Sequence, residues 1–164
     1  MILIGIGGNL TSTQFGPPRQ ALAAAFAALE TEGIHIIARS AWYRTAPIPP
    51  SDQPWFTNAV ASLATAFPAP HLLAVMQGIE TRFGRVRGER NAARVLDLDL
   101  LDYRGEVIET AALVLPHPRL HERQFVLTPL AEVAPAWRHP LLGLTAEQLL
   151  AGLAKNQLIE RLSD

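Results

Sequence analysis

Cysteine is absent from the chain, so neither a disulfide framework nor a thiolate metal site can form, which suits a reducing compartment. No apolar run approaches the roughly 20 residues a membrane-spanning helix needs. The chain opens directly on a strand-like run, residues 2–6, without the basic start and cleavage site of a secretory signal. The expectation is a cytoplasmic protein with no membrane partner. An excess of one charge is also missing: 14 Lys and Arg stand against 15 Asp and Glu, a formal net charge of −1. That argues against nonspecific nucleic-acid binding, which needs a clearly basic face. There is no internal repeat, linker or low-complexity tract, and no exposed heptad or apolar stripe. One domain over 1–164 and a monomeric state are expected.

What is present is a chain 49% hydrophobic over 164 residues, enough to enclose a core and still shape a small-molecule cleft. Residues 2–6 read as a strand, and Gly7 and Gly8 mark its exit. Pro17 and Pro18 open a helix in which Leu22, Ala25, Phe26 and Leu29 recur at helical spacing until Gly33 stops it. Residues 34–43 are β-branched and aromatic and read as a second strand. Four prolines then stiffen the loop 46–54. Residues 58–66 alternate as a third strand. Pro70 starts a helix with Leu72, Met76, Ile79 and Phe83 on one face and Gly84 as its cap. Residues 95–103 form a strand, Arg104 and Gly105 turn it, and Val107 with Ile108 return as its hairpin partner. Residues 123–132 are helical despite Pro129, and Thr145 with Gln148 write a capping box for a last helix through Leu153. The order βαββαβ, then hairpin and helices, predicts an α+β fold. It is a ferredoxin-like antiparallel sheet with an added hairpin and C-terminal helices packed on it.

The chemistry concentrates at residues 96–100, LDLDL. Side chains alternate along a strand, so Asp97 and Asp99 share one face and the leucines take the other. Paired carboxylates repel unless a cation neutralises them, and hard oxygen donors suit Mg²⁺ on a polyphosphate. The plain alternative is a solvated face with two ordinary aspartates. Five arginines stand close by: Arg82, Arg85, Arg87, Arg90 and Arg94. Guanidinium forks bind phosphate oxygens, whereas surface arginines that aid solubility are the bland reading. His117 sits on a proline-flanked turn with Arg123 and Phe125 beyond it. Phe56 and Asn58 pair an aromatic ring with an amide, suited to stacking a flat heterocycle and reading its edge; on its own Phe56 is simply core.

Seven blocks stand in order along nearly the whole chain: Gly5-Ile6-Gly7-Gly8-Asn9-Leu10, Tyr43-Arg44-Thr45, Asp52-Gln53-Pro54, Phe56-Thr57-Asn58-Ala59, Gly84-Arg85-Val86-Arg87, Arg94 to Asp99, and Pro116-His117. In this order and spacing they resemble the signature of the 6-hydroxymethyl-7,8-dihydropterin pyrophosphokinase family. The resemblance implies transfer of pyrophosphate from ATP to the hydroxymethyl group of the dihydropterin, releasing AMP, in tetrahydrofolate biosynthesis. It implies Asp97 and Asp99 as ligands of two Mg²⁺ ions, and Arg85 and Arg94 as catalytic residues. Gln77, Glu80, Arg87, Leu100, His117 and Arg123 would bind ATP. Gly7, Thr45, Ala46, Pro47, Ile48, Phe56, Asn58 and Phe125 would bind the pterin. The loops after Thr45 and after Arg87 would close over the substrates. The chain departs from the family pattern where Asn91-Ala92-Ala93 replaces a longer Trp-Gly-Pro segment. It departs again at Ala112 for an arginine, Pro118 for an aromatic and Phe56 for a tyrosine, changes that bear on loop closure and ATP affinity.

Two other classes stay open on the residues alone. A ferredoxin-like sensor would bind a nucleotide or pterin without turnover, but has no need of paired carboxylates beside two arginines. A nucleotidyl transferase with two-metal catalysis would explain the acidic strand and leave Phe56 and Asn58 unused.

Overall fold

The computed structural model describes residues 1–86, 88 and 92–164. Its strands are β1 (Ile2–Gly8), β2 (His35–Arg39), β3 (Tyr43–Thr45), β4 (Phe56–Ala64), β5 (Asp97–Tyr103), β6 (Ile108–Glu109), β7 (Val114–Leu115) and β8 (Ile159–Arg161). The helices are α1 (Pro18–Thr31), α2 (Ala69–Arg82), α3 (Gln124–Val133) and α4 (Ala146–Ala151), with a 3-10 turn at Leu120–Glu122. The main sheet runs β5-β1-β4-β3-β8, with β2 also on β4, and every pairing is antiparallel. Fourth strand, first, third, then the divided second is the ferredoxin-like order expected.

The period of two along the strands divides the core between the two sheet faces. Ile2, Ile4 and Ile6 of β1 join Leu98 and Leu100 of β5 and the apolar stripes of α1 and α2 in one cluster. Those stripes are Leu22, Ala25, Phe26 and Leu29 in α1, and Leu72, Met76 and Ile79 in α2. Leu3, Val60 and Leu101 face the other way, against Val126, Leu127 and Leu130 of α3 and Leu149 of α4. Gly33 and Gly84, at φ 83° and 86°, end α1 and α2 in the left-handed region that glycine enters without steric cost. Thr145 and Gln148 form the expected capping box, and α4 stops at Gly152.

Three expectations are corrected. The second strand is broken in two, because Ser40 Oγ takes the Val60 N–H at 3.0 Å and the Ala41 N–H turns to the Glu132 carboxylate at 2.8 Å. Val107 and Ile108 do not return on the strand at 95–103. Ile108 pairs with Leu115, while the Leu101 carbonyl of β5 accepts the His117 N–H at 2.9 Å. The C-terminal strand β8, unread in the sequence, pairs with β3. Among the described residues no helix is long and apolar enough to cross a membrane.

Candidate active site

Sheet register assembles the site. Gly7 of β1 lies between Asp97 on β5 and Asn58 on β4, and Gly5 lies between Asp99 and Val60. All six share the face that carries Leu3 and Leu101, and Val60 among them packs under Val126 and Leu127 of α3. The absence of side chains at Gly5 and Gly7 leaves a hollow there. A Cβ on Gly7 would stand 2.4 Å from Asn58 Oδ1, well inside contact distance. The Asn58 amide is oriented by its Nδ2 donating to Thr45 Oγ1 at 2.7 Å.

That hollow is the floor of a first cavity, about 850 Å³ measured out to open solvent. Gly7, Thr45, Ala46, Ile48, Phe56, Asn58 and Phe125 all line it, as do Arg94, Asp97, Asp99 and Arg123. Of the pterin set, Pro47 alone is buried without lining it. A second cavity opens on the other side of the acidic strand. Gln77 and Glu80, three apart on one face of α2, line it with Arg85, Leu100 and His117, and Asp97 and Asp99 border this cavity too. Arg123, expected with the ATP group, lies instead in the first cavity beside Phe125, its Cζ 5.5 Å from the ring centre. The Arg87 expectation falls outside the described residues, as does part of the loop after it. Ala112 and Pro118, two of the departures, line the second cavity, and their side chains carry no hydrogen-bond donor.

The charges interlock. Arg85 Nη1 donates to Glu80 and to Asp97 Oδ1, the latter at 2.5 Å. Arg94 Nη1 lies 3.6 Å from the same Asp97 oxygen, and Arg123 Nη1 lies 3.8 Å from Asp99 Oδ2. Burial, then the Asp97 charge, pushes the Asp99 carboxyl up to about 7. Burial also raises Glu80, whose Oε2 accepts the Leu98 N–H at 2.9 Å. His117 is pulled the other way, down to about 4, by burial and then by the Arg123 charge. Its Nδ1 accepts the Arg119 N–H at 3.2 Å, so the neutral ring carries its proton on Nε2.

A hard divalent cation fits this donor set. Asp97 and Asp99 offer oxygens on one face, and burial first, then the Asp97 charge, raises the Asp99 carboxyl, a cost that a bound cation would offset. Among the described residues no group of three His, Cys, Asp or Glu forms a ready cage. The fit is therefore to an ion that completes its shell with water and substrate oxygens, the habit of Mg²⁺.

Sequence reasoning passed over four contributors. Gly5, Val60 and Val126 line the first cavity, and only the strand register and the packing of α3 bring them there. Asn9, quoted within a motif but given no role, connects the loops flanking the site. Its Nδ2 donates to Gln53 Oε1 and the Pro54 carbonyl, and its Oδ1 accepts the Arg94 N–H, each at 2.9 Å.

Residues 3–135 match the family 7,8-dihydro-6-hydroxymethylpterin-pyrophosphokinase (HPPK). The chain is 40% identical over 149 residues to the 2-amino-4-hydroxy-6-hydroxymethyldihydropteridine pyrophosphokinase of Synechocystis sp., covering 90% of this chain and 73% of that protein. To the protein of the same name from Methylorubrum extorquens it is 44% identical over 133 residues, covering 80% and 81%. Among solved structures, a triple mutant of Plasmodium falciparum HPPK-DHPS superposes with a TM-score of 0.69 at 14% identity. That superposition covers 92% of this chain and 43% of that one, and the likeness is one of fold.

Proposed function

The chain belongs to the 7,8-dihydro-6-hydroxymethylpterin-pyrophosphokinase family, and from that membership we propose how its two cavities divide the reaction. The activity is pyrophosphate transfer onto hydroxymethyldihydropterin in folate synthesis. ATP is the donor and AMP the leaving product. The observation that carries this reading is that Asp97 and Asp99 border both cavities, so a group passing from one to the other crosses the acidic strand.

The first cavity takes the pterin. Phe56 and Phe125 supply flat apolar walls, and Asn58 together with the backbone at Thr45 to Ile48 supplies polar contacts for its edge. The second cavity takes ATP through Gln77, Glu80, Leu100 and His117. Asp97 and Asp99 would hold Mg²⁺, which when bound neutralises charge on the triphosphate oxygens. The substrate hydroxyl oxygen bonds to the β-phosphorus while the bond from that phosphorus to the α,β-bridging oxygen breaks. AMP departs with the bridging oxygen, and the hydroxyl proton passes to solvent.

Arg85 and Arg94, both turned toward Asp97, supply positive charge where the phosphoryl group moves, and Arg123 does so from the pterin side. Neutral His117 donates from Nε2 to a phosphate oxygen without adding net charge. No side chain is needed as a strong base, because a loose phosphoryl transition state asks mainly for position and charge neutralisation. A monomer acting as one domain over 1–164 completes the proposal. ATP and a reduced pterin as reactants suit the cytoplasm.

The test is product analysis after mixing the protein with ATP, Mg²⁺ and 6-hydroxymethyl-7,8-dihydropterin. Equal amounts of AMP and pterin pyrophosphate are expected. Release of ADP or free pyrophosphate, or binding of both substrates without turnover, would overturn the reading.

A further inference from the structure

Two walls of the first cavity come from segments far apart in sequence: Thr45, Ala46 and Ile48 on one side, Arg123, Phe125 and Val126 on the other. Consecutive residues of the C-terminal segment, beyond the family match at 3–135, reach both. The Leu158 carbonyl accepts the Ala46 N–H at 3.1 Å, extending the β3–β8 ladder past Thr45 and Ile159. One residue earlier, Gln157 Oε1 accepts the Gln124 N–H at 3.1 Å, and Gln157 Nε2 lies 3.5 Å from the Glu122 carbonyl.

Gln124 is the first residue of α3, and its N-cap residue, Arg123, makes no side-chain cap. First-turn N–H groups have no partner inside a helix and normally find a local Ser, Thr, Asp or Asn. Here the oxygen arrives from 33 residues away in sequence. The residue it caps stands between Arg123 and Phe125. The far end of the tail is anchored separately, by the Leu162 N–H to the Trp42 carbonyl and Arg19 Nη1 to the Ser163 carbonyl, both at 2.9 Å. Loss of the Gln157 side chain therefore releases the start of α3 while β8 stays in the sheet.

We propose that Gln157 is a positioning residue for the pterin. With Leu158 it forms a clip that sets the spacing between the Ala46 wall and the Phe125 wall. Adjacent Cα atoms are held about 3.8 Å apart, so separation of the walls strains the Gln157 side-chain hydrogen bond to the Gln124 N–H or the Leu158 main-chain hydrogen bond to the Ala46 N–H. The inference rests on the reading that this cavity holds the pterin.

The test compares Gln157→Leu and Gln157→Glu with the wild-type chain, measuring kcat and the KM of each substrate. Leucine removes the acceptor. Glutamate keeps it, and a carboxylate is favoured at a helix N-terminus. Gln157→Leu is expected to raise the KM for the pterin about fivefold, the factor one hydrogen bond is worth. The KM for ATP should stay within about twofold, because the hydrogen bonds of Gln157 reach none of the described residues lining the second cavity; kcat is expected to fall as Arg123 moves with the released turn, and Gln157→Glu should restore both the pterin KM and kcat. An unchanged pterin KM in Gln157→Leu, with or without a lower Tm, would overturn the clip, as would an equal rise in both KM values. Failure of the wild-type chain itself to make pterin pyrophosphate would overturn the functional reading, and the clip's role with it.

Discussion

Asn9 and Arg94 are joined twice: the Asn9 N–H donates to the Arg94 carbonyl, and the Arg94 N–H donates to Asn9 Oδ1, both at 2.9 Å. The rest of the Asn9 amide is spent on Gln53 and Pro54, and the residue is only 3% exposed. One buried side chain thus ties the proline loop to the strand entry that carries Arg94, and water is poorly placed to replace a lost bond. Asn9→Leu, similar in volume, is expected to lower kcat at least about tenfold, because a misplaced guanidinium loses orientation in the transition state. Asn9→Asp keeps the Arg94 contact and should fall between. Steady-state kinetics on folded variants checks both, and an unchanged kcat in Asn9→Leu would detach the placement of Arg94 from Asn9.

Asp97 receives Arg85 and Arg94 and borders both cavities. Asp97→Ala should reduce Mg²⁺-dependent turnover by about 10³-fold or more, the scale on which transition-state electrostatics act. Its side chain is 30% exposed, so the fold should persist, as circular dichroism would report. Arg94→Ala should lower kcat far more than it raises the KM for ATP; an effect confined to KM would move Arg94 to ground-state binding.

Gly7 and Gly8 are adjacent but should fail differently. A Cβ on Gly7 meets the end of the Asn58 side chain at 2.4 Å, whereas one on Gly8 meets the Val95 main-chain oxygen at 2.1 Å. Gly7→Ala should displace the amide and weaken pterin binding at least tenfold, with ATP binding kept. Gly8→Ala pushes backbone against backbone and should cost more stability, about 3 kcal/mol. Calorimetric titration with each substrate and thermal melts separate the two, and equal loss of pterin binding and stability in both variants would contradict the assignment.

His117 is held down to about 4 by burial and by the Arg123 charge, against about 6.5 when unfolded. The unfolded state therefore binds more protons between these values. The contribution of His117 to stability is complete above about 6.5 and lost as pH falls toward 4. Asp99, pushed up to about 7, acts in the opposite sense: its contribution is present at low pH and lost as pH rises through 7. The informative quantity is consequently the difference between wild type and His117→Asn. Urea titrations should show wild type losing about 2 kcal/mol relative to the variant between pH 6.5 and 5. An NMR titration of the His117 ring with an inflection near 6.5 would contradict the assignment.

Much of the fold was legible because its signals are local. The apolar spacing of Leu22 to Leu29 and of Leu72 to Ile79, the stops at Gly33 and Gly84, and the Thr145–Gln148 box each depend on neighbours within a few residues. The break after Arg39 was not legible, because the Ala41 N–H is diverted to Glu132, 91 residues away. Nor was β8 on β3, since a three-residue strand has little pattern of its own, or the turn of Ile108 away from β5, which depends on His117 taking the Leu101 carbonyl.

The site divides in the same way. Alternation along 96–100 was sufficient to put Asp97 and Asp99 on one face, and the ordered motifs were sufficient to identify the family and the residue types its chemistry requires. Only the tertiary structure decided which cavity each group enters: that Arg123 sits beside Phe125, that Asn9 holds both loops, and that Gln157 caps α3. Side-chain direction follows from dihedral periodicity over two or three residues, whereas these contacts depend on strand register and helix docking, which bring together atoms that no local pattern relates.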